Sequence, residues 1–178
     1  MIRRCEERDR AAILEIVNDA ARAYKGVIPD DCWHEPYMSA DELRSEIGSG
    51  IEFWADEVGG LMRGVMGLQQ VGDVTLIRHT YVRSADQGHG IGGALLEHLR
   101  HLTVRPMLVG TWRDASWAVR FYERRGFQVV PREQVPALLR RYWSVPERQI
   151  AASVVLADER WRRGLARGAW PEDPGAIL

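Results

Sequence analysis

Tyr81-Val82-Arg83-Ser84-Ala85-Asp86-Gln87-Gly88-His89-Gly90-Ile91-Gly92-Gly93-Ala94-Leu95-Leu96 is the stretch on which the reading of this chain turns. The residues before it, Val74–Val82, read as a strand. The residues after it place Ile91, Leu95, Leu96, Leu99 and Leu102 on one side of a helix. Small residues in the turn let the backbone approach a ligand closely. Successive free N–H groups at a helix start form a phosphate-sized anion site, reinforced by the helix dipole. A mononucleotide phosphate loop requires Gly-Lys-Ser/Thr at its end, and Gly92-Gly93-Ala94 stands there instead. A dinucleotide turn requires G-x-G-x-x-G after the first strand of a βαβ unit. Here Gly88-His89-Gly90-Ile91-Gly92 has G-x-G-x-G spacing and comes late in the chain. A purely structural loop is the remaining alternative.

Upstream, Ile2–Cys5 reads as a short strand and Asp9 as a helix N-cap, followed by Ile13, Ile16, Val17, Ala20 and Tyr24 at helical spacing. Gly26 and Pro29 end that helix. Asp30–Ile47 reads as irregular helix, broken near Pro36 and restarted at Ser39/Asp41. The runs Ile51–Asp56, Leu61–Val71 and Val74–Val82, separated by Gly59-Gly60 and Gly72-Asp73, read as an antiparallel meander. Downstream, Pro106 stops the helix and Met107–Trp112 reads as a strand. Arg113–Arg125 reads as a helix closed by Gly126 as its C′ glycine, and Phe127–Val130 as a strand. A helix over Arg132–Tyr142 and a strand over Gln149–Leu156 complete the core. Residues 157–169 read as an extra amphipathic helix and 170–178 as a Pro- and Gly-containing tail. The order predicts an α/β (α+β) domain with a mixed, mostly antiparallel sheet and helices on both faces.

The 178 residues suit one compact domain, and 46% hydrophobic content supplies a core. With 24 Lys+Arg against 25 Asp+Glu, the net charge of −1 provides no field for nucleic acid or an anionic membrane. Cys5 and Cys32 have no metal-ligand spacing and read as thiols of a reducing compartment, so no metal is expected. No apolar run reaches a membrane span, and the N-terminal residues have no signal-peptide core, which makes a cytoplasmic location the expectation.

The glycine turn resembles the signature of the GNAT superfamily of N-acetyltransferases, Gln/Arg-x-x-Gly-x-Gly/Ala, at Gln87, Gly90 and Gly92. A second block, Ala115-Ser116-Trp117-Ala118-Val119-Arg120-Phe121-Tyr122-Glu123-Arg124-Arg125-Gly126-Phe127, is similar to the family's Asn-x-x-Ala-x-x-Phe/Leu-Tyr-x-x-x-Gly-Phe at Ala118, Phe121, Tyr122, Gly126 and Phe127. Two positions depart: Ala115 stands for the asparagine and Ser84 for a frequent proline. The resemblance covers residues 2–156, leaving 157–178 as an extension. It implies acetyl-CoA as co-substrate and transfer of acetyl to a primary amine by direct attack. It further implies that Tyr81, Val82 and Arg83 pair with the pantetheine arm. The N–H groups of Gly88, His89, Gly90, Ile91 and Gly92 would hold the pyrophosphate beside Gln87, and Ser116 would replace the missing asparagine contact.

Amide formation from a thioester needs a neutral amine, a stabilised oxyanion and a proton for the leaving thiolate. The spacing of Tyr122 alone favours a core aromatic; the resemblance makes it the acid instead. A backbone N–H near Val82 is the expected oxyanion donor. Many relatives carry a glutamate on the strand before the turn, but Val74–Val82 contains no acid. His79 is the titratable group there, read either as the base or as a structural histidine. Glu52, Asp56, His34, Glu35 or a water chain are alternatives, whereas His89 reads as a solvent- or phosphate-side residue. Trp33, His34, Tyr37, Met38 and Trp54 form either an acceptor pocket or ordinary packing. Such a pocket suits a small amine or amino acid. Phe121 and Trp117 read as core. A non-catalytic acyl-CoA sensor and a protein N-acetyltransferase are the rival functions, and the resemblance also admits a homodimer.

Overall fold

The computed structural model describes residues 1–166. The extension's last predicted helical residues, 167–169, and the predicted tail, 170–178, lie outside the described residues. The described chain divides into two compact units. The first comprises Met1–Lys25, Trp33–Gln70 and Ile77–Val104; the second comprises Gly26–Cys32, Val71–Leu76 and the described residues from Arg105 onward.

The first unit holds β1 (Ile2–Arg4), α1 (Arg10–Ala21), α2 (Ala40–Gly48), β2 (Glu52–Val58), β3 (Leu61–Val71), most of β4 (Val74–Val82) and α3 (Ile91–His101). β1 and β2 are antiparallel, with Arg4 opposite Trp54, as are β2 and β3, with Phe53 opposite Gly67 and Ala55 opposite Val65. Alternation along β2 sends Phe53 and Ala55 to one face, where they pack with Ile13, Ile16 and Val17 of α1 and Leu43 of α2. Trp54 takes the opposite face and packs against His98 of α3, the ring centroids 4.7 Å apart and the planes tilted by 51°. Ser39 caps α2 as expected: its Oγ accepts from the Glu42 N–H, and the Glu42 carboxylate accepts from the Ser39 N–H.

Asp9 departs from the expected N-cap role. It precedes α1, but its carboxylate accepts from the Arg3 guanidinium at 2.7 and 2.9 Å and from the Glu6 N–H at 2.7 Å. The bidentate cation is the stronger partner and draws the side chain off the helix end.

The second unit holds the start of β4, then β5 (Met107–Trp112), α4 (Ser116–Glu123), β6 (Gln128–Val129), α5 (Val135–Tyr142), α6 (Glu147–Ala152), β7 (Ser153–Ala157) and α7 (Glu159–Ala166). β5 and β6 both pair antiparallel with β7, Leu108 and Gln128 each facing Ala157. Leu138, Leu139, Tyr142, Trp143, Ile150 and Val155 are among the buried residues of its core. The seven strands follow the order β1-β2-β3-β4-β5-β7-β6, a mostly antiparallel sheet accompanied by helices, as predicted.

Three element starts differ from expectation by three residues or more. The strand expected over Gln149–Leu156 is helix through Ala152 and strand only from Ser153, because Pro146 starts a turn that buries Ile150 on a helical face. α4 begins at Ser116 rather than Arg113. α5 begins at Val135 rather than Arg132, after turns anchored on Pro131 and Arg132 carbonyls. Gly126 does terminate the second block's helix region, with φ +82°. Trp117, expected in the core, is 39% exposed.

Candidate active site

β4 ends in a web of bonds that shapes the glycine turn. The Arg83 N–H donates to the Arg63 carbonyl at 2.8 Å, and the Arg83 carbonyl accepts from the Asp86 N–H at 2.8 Å. Its guanidinium donates to the Met62 carbonyl and to Glu15. The Arg83 backbone N–H is thus engaged inside the unit, on the β3 strand beside it. Gln87 Nε2 donates to the Val82 carbonyl at 3.1 Å, folding the turn back onto the strand end. The Ser84 N–H donates to Asp19 at 2.7 Å, a bond that holds the Asp19 carboxyl below its ordinary range despite desolvation.

Gly88 and Gly90 have φ of +80° and +79°, a region that side-chain-bearing residues rarely adopt. Open space surrounds both Cβ positions, so backbone conformation rather than crowding demands these glycines. His89 lies between them, exposed, donating Nδ1–H to the Asp86 carbonyl at 3.1 Å. The first intrahelical bond of α3 runs from the Ala94 N–H to the Gly90 carbonyl at 3.0 Å. The N–H groups of Ile91, Gly92 and Gly93 precede it and have no intrahelical acceptor. With no Cβ at Gly88, Gly90, Gly92 or Gly93, the helix start fits a phosphate-bearing ligand. Gly64 of β3 supports the same end: a Cβ there would meet Ile91 Cγ2 at 2.9 Å, Val82 Cγ2 at 3.1 Å and the Tyr81 carbonyl at 3.2 Å.

A cleft of about 580 Å³ lies beside this turn in the same unit, lined by Glu15, Asn18, Asp19, Arg22, Arg83 and Ser84 among others.

On β4, His79 has a φ of +50°, the one side-chain-bearing residue of positive φ among the described residues. This breaks the alternation of the strand, so that the consecutive residues Arg78 and His79 reach the same carboxylate oxygen, Oε2 of Glu46 on α2, each at 2.9 Å. Arg78 also donates to Gln69 at 2.9 Å, and the His79 ring stacks on Phe53 at 5.6 Å. Burial works to raise the Glu46 pKa, but the His79 hydrogen bond and the neighbouring positive charges outweigh it and hold the carboxyl below its ordinary value. Sequence reading missed Glu46. The available signal was its place three residues after buried Leu43, which puts an acid on the inward face of α2.

The structure groups most of the expected acceptor residues. Tyr37 stands at the centre, with ring centroids 5.5 Å from Trp33, 6.0 Å from His34 and 5.8 Å from Tyr24; Tyr24 in turn meets Tyr81 of β4 at 6.4 Å. Asn18 pins Met38 through both its N–H and its carbonyl. Trp54 is not brought into this group, because alternation along β2 carries it to the α3 face. Of the alternative bases, Glu52 pairs with Arg4, Asp56 with Arg63, and Glu35 with Lys25, each already committed to a cation.

In the second unit, Ala115 is fully buried and Ser116 is exposed at the start of α4. Tyr122 is 4% exposed, its ring edge-on to Phe121 at 4.9 Å and Phe127 at 5.6 Å.

The order of strands, with a glycine turn opening a helix after β4, defines the architecture of an acyltransferase domain. Residues 16–140, well over half of the chain, match the family model described as an acetyltransferase (GNAT) domain, and the chain belongs to that family. It is accordingly an N-acetyltransferase, and the acyl donor of its family is acetyl-CoA. The fold is similar to that of the PaiA N-acetyltransferase from Thermoplasma acidophilum in complex with coenzyme A, with TM-score 0.67 and 17% identity over 89% of this chain and 97% of that one. It is also similar to the ribosomal-protein-S18-alanine N-acetyltransferase from Escherichia coli, with TM-score 0.64 and 20% identity over 89% and 92%. N-acetylglutamate synthase from Neisseria gonorrhoeae, complexed with coenzyme A and N-acetyl-glutamate, matches with TM-score 0.60 and 19% identity over 89% of this chain and 34% of that one. No helix among the described residues is long and apolar enough to cross a membrane.

Proposed function

We propose that this protein transfers acetyl from acetyl-CoA to the primary amine of a small molecule or amino acid, by direct attack, in a reducing cytosol. The observation carrying the coenzyme assignment is the glycine turn: positive φ at Gly88 and Gly90, and N–H groups of Ile91 to Gly93 without intrahelical acceptors. These groups would bind the coenzyme pyrophosphate. Free Cys5 and Cys32 agree with a reducing compartment, and burial pushes the Cys5 thiol up to about 12, which keeps it inert.

His79 takes the proton of the attacking amine as the carbon–nitrogen bond forms. A backbone N–H near Val82 stabilises the charge that develops on the thioester oxygen. Tyr122 delivers a proton to the sulfur as the carbon–sulfur bond breaks, a role assigned by its match to the second motif block. Trp33, His34 and Tyr37 line the acceptor side. Their aromatic surface supports an acceptor with an apolar body and one amino group.

Calorimetric titration with acetyl-CoA, with ATP and NAD as controls, tests the coenzyme. Selective binding of acetyl-CoA is the expected result; its absence in a folded sample would remove the assignment. Release of free coenzyme thiol in the presence of aromatic monoamines, amino acids and an alanine-ended peptide then tests the acceptor. Turnover confined to the peptide would overturn the small-molecule reading.

A further inference from the structure

His79 sits in a backbone conformation that costs a side-chain-bearing residue about 1–2 kcal/mol and persists only where the surroundings enforce it. Those surroundings are specific. Glu46 of α2 faces the ring with a carboxylate oxygen 2.9 Å from Nε2, and the Phe53 ring covers the imidazole from β2. Arg78 holds the same oxygen at 2.9 Å and is itself held by Gln69, whose amide donates to the Ser49 carbonyl at 3.0 Å. Gly67 on β3 makes room for this segment: a Cβ there would lie 3.0 Å from the Arg78 carbonyl and 3.2 Å from Arg78 Cβ. An ion pair between Arg78 and Glu46 would satisfy both charges without any distortion at His79. The strained residue nevertheless delivers its ring to the same oxygen.

An ionised carboxylate only accepts hydrogen bonds, so the imidazole nitrogen facing it carries the hydrogen. In a neutral imidazole the other nitrogen then holds the free lone pair. We propose that Glu46 is a positioning residue: it accepts the Nε2–H of His79, fixes the ring and its tautomer, and leaves Nδ1 as the nitrogen that accepts the amine proton. This rests on the reading of His79 as the base and assigns the atom that acts. Arg78 keeps Glu46 ionised and locked, so the tautomer is set before any acceptor arrives.

The test uses the full chain labelled with ¹⁵N-histidine. Long-range ¹H–¹⁵N spectra report each imidazole tautomer, and the chain's five histidines are few enough for the His79 signals to be assigned by their loss in His79→Gln. The expected wild-type pattern is hydrogen on Nε2 and none on Nδ1. Glu46→Ala, or Glu46→Gln where the alanine variant fails to fold, should give mixed tautomers, because an amide donates as well as accepts. A second readout is kcat for acetyl transfer to the amine of greatest turnover in the thiol-release panel. Loss of the orienting carboxylate should lower kcat by roughly 10- to 100-fold with KM for acetyl-CoA unchanged, by analogy with the loss of a carboxylate that orients a metal-bound histidine. In a His79→Ala background the same Glu46 substitution should have no further effect on kcat.

A wild-type ring protonated on Nδ1, or a tautomer unmoved by substitution of Glu46, overturns the proposal. An undiminished effect of the Glu46 substitution in the His79→Ala background overturns it as well. Full turnover by His79→Ala alone removes instead the reading of His79 as base, and the spectra still decide whether Glu46 sets its tautomer.

Discussion

Gly64→Ala should damage the enzyme although it adds a single methyl group. The new Cβ would lie 2.9 Å from Ile91 Cγ2, 3.1 Å from Val82 Cγ2 and 3.2 Å from the Tyr81 carbonyl. Ile91 begins α3 and is 5% exposed, so it has little room to yield, and the carbonyl belongs to the β4 backbone. Overpacking of this kind costs about 1–3 kcal/mol, while replacing glycine gains about 0.4–1 kcal/mol through the unfolded chain. The balance is a loss of about 1–2 kcal/mol, or roughly 2–8 °C in Tm for a chain of this length. The displacement falls on the strand end and helix start assigned to the coenzyme. Acetyl-CoA should therefore bind at least about tenfold more weakly, equivalent to about 1.4 kcal/mol. Thermal unfolding and calorimetric titration of the same samples read both effects. In an Ile91→Ala background the added methyl group should cost much less, since its nearest clash is gone. If Gly64→Ala leaves both Tm and acetyl-CoA affinity unchanged, the close approach of β3 to the glycine turn is not needed and the reasoning fails.

Tyr122→Phe should abolish most acetyl transfer, by about 10²-fold or more, while calorimetric acetyl-CoA binding is preserved; unchanged turnover would make Tyr122 only a packed aromatic. Gly90→Ala forces a side chain into φ +79° at a cost of about 1–2 kcal/mol, and should weaken acetyl-CoA binding without a steric clash; unaltered affinity would mean that the turn does not contact the coenzyme. Acid should destabilise the protein through Asp9. The Arg3 guanidinium, aided by the Glu6 N–H, overcomes burial and lowers its pKa from 3.8 to about 2. A depressed folded pKa gives stability that is complete above about pH 4 and is lost as the pH falls toward 2, about 2 kcal/mol in all. Asp9→Asn should remove that part of the acid dependence in denaturant titrations between pH 5 and 2, whereas an identical slope in the variant would show that another group carries it.

The glycine turn was legible from residues alone because its requirement is local. Positive φ and a bare helix start are demanded within Gln87–Gly93, and only small residues meet both. The meander was legible for a similar reason: strand-like runs punctuated by Gly59-Gly60 and Gly72-Asp73 act within neighbouring residues, and the ends of β3 and β4 fell where they were expected. The Ser39 cap reads directly from its spacing to Glu42. Tertiary structure alone decided what depended on distant partners. Glu46 meets His79 across 33 positions, and the left-handed backbone of His79 is held by contacts to α2 and β2 that the sequence does not display. The place of Arg83 in the motif was visible in sequence, while the β3 carbonyl that takes its N–H was not. Trp54 joined the acceptor aromatics in sequence as one more large ring. The register of β2 sends it to the other face, since the sign of an alternation is set only once the strand has a partner on each side.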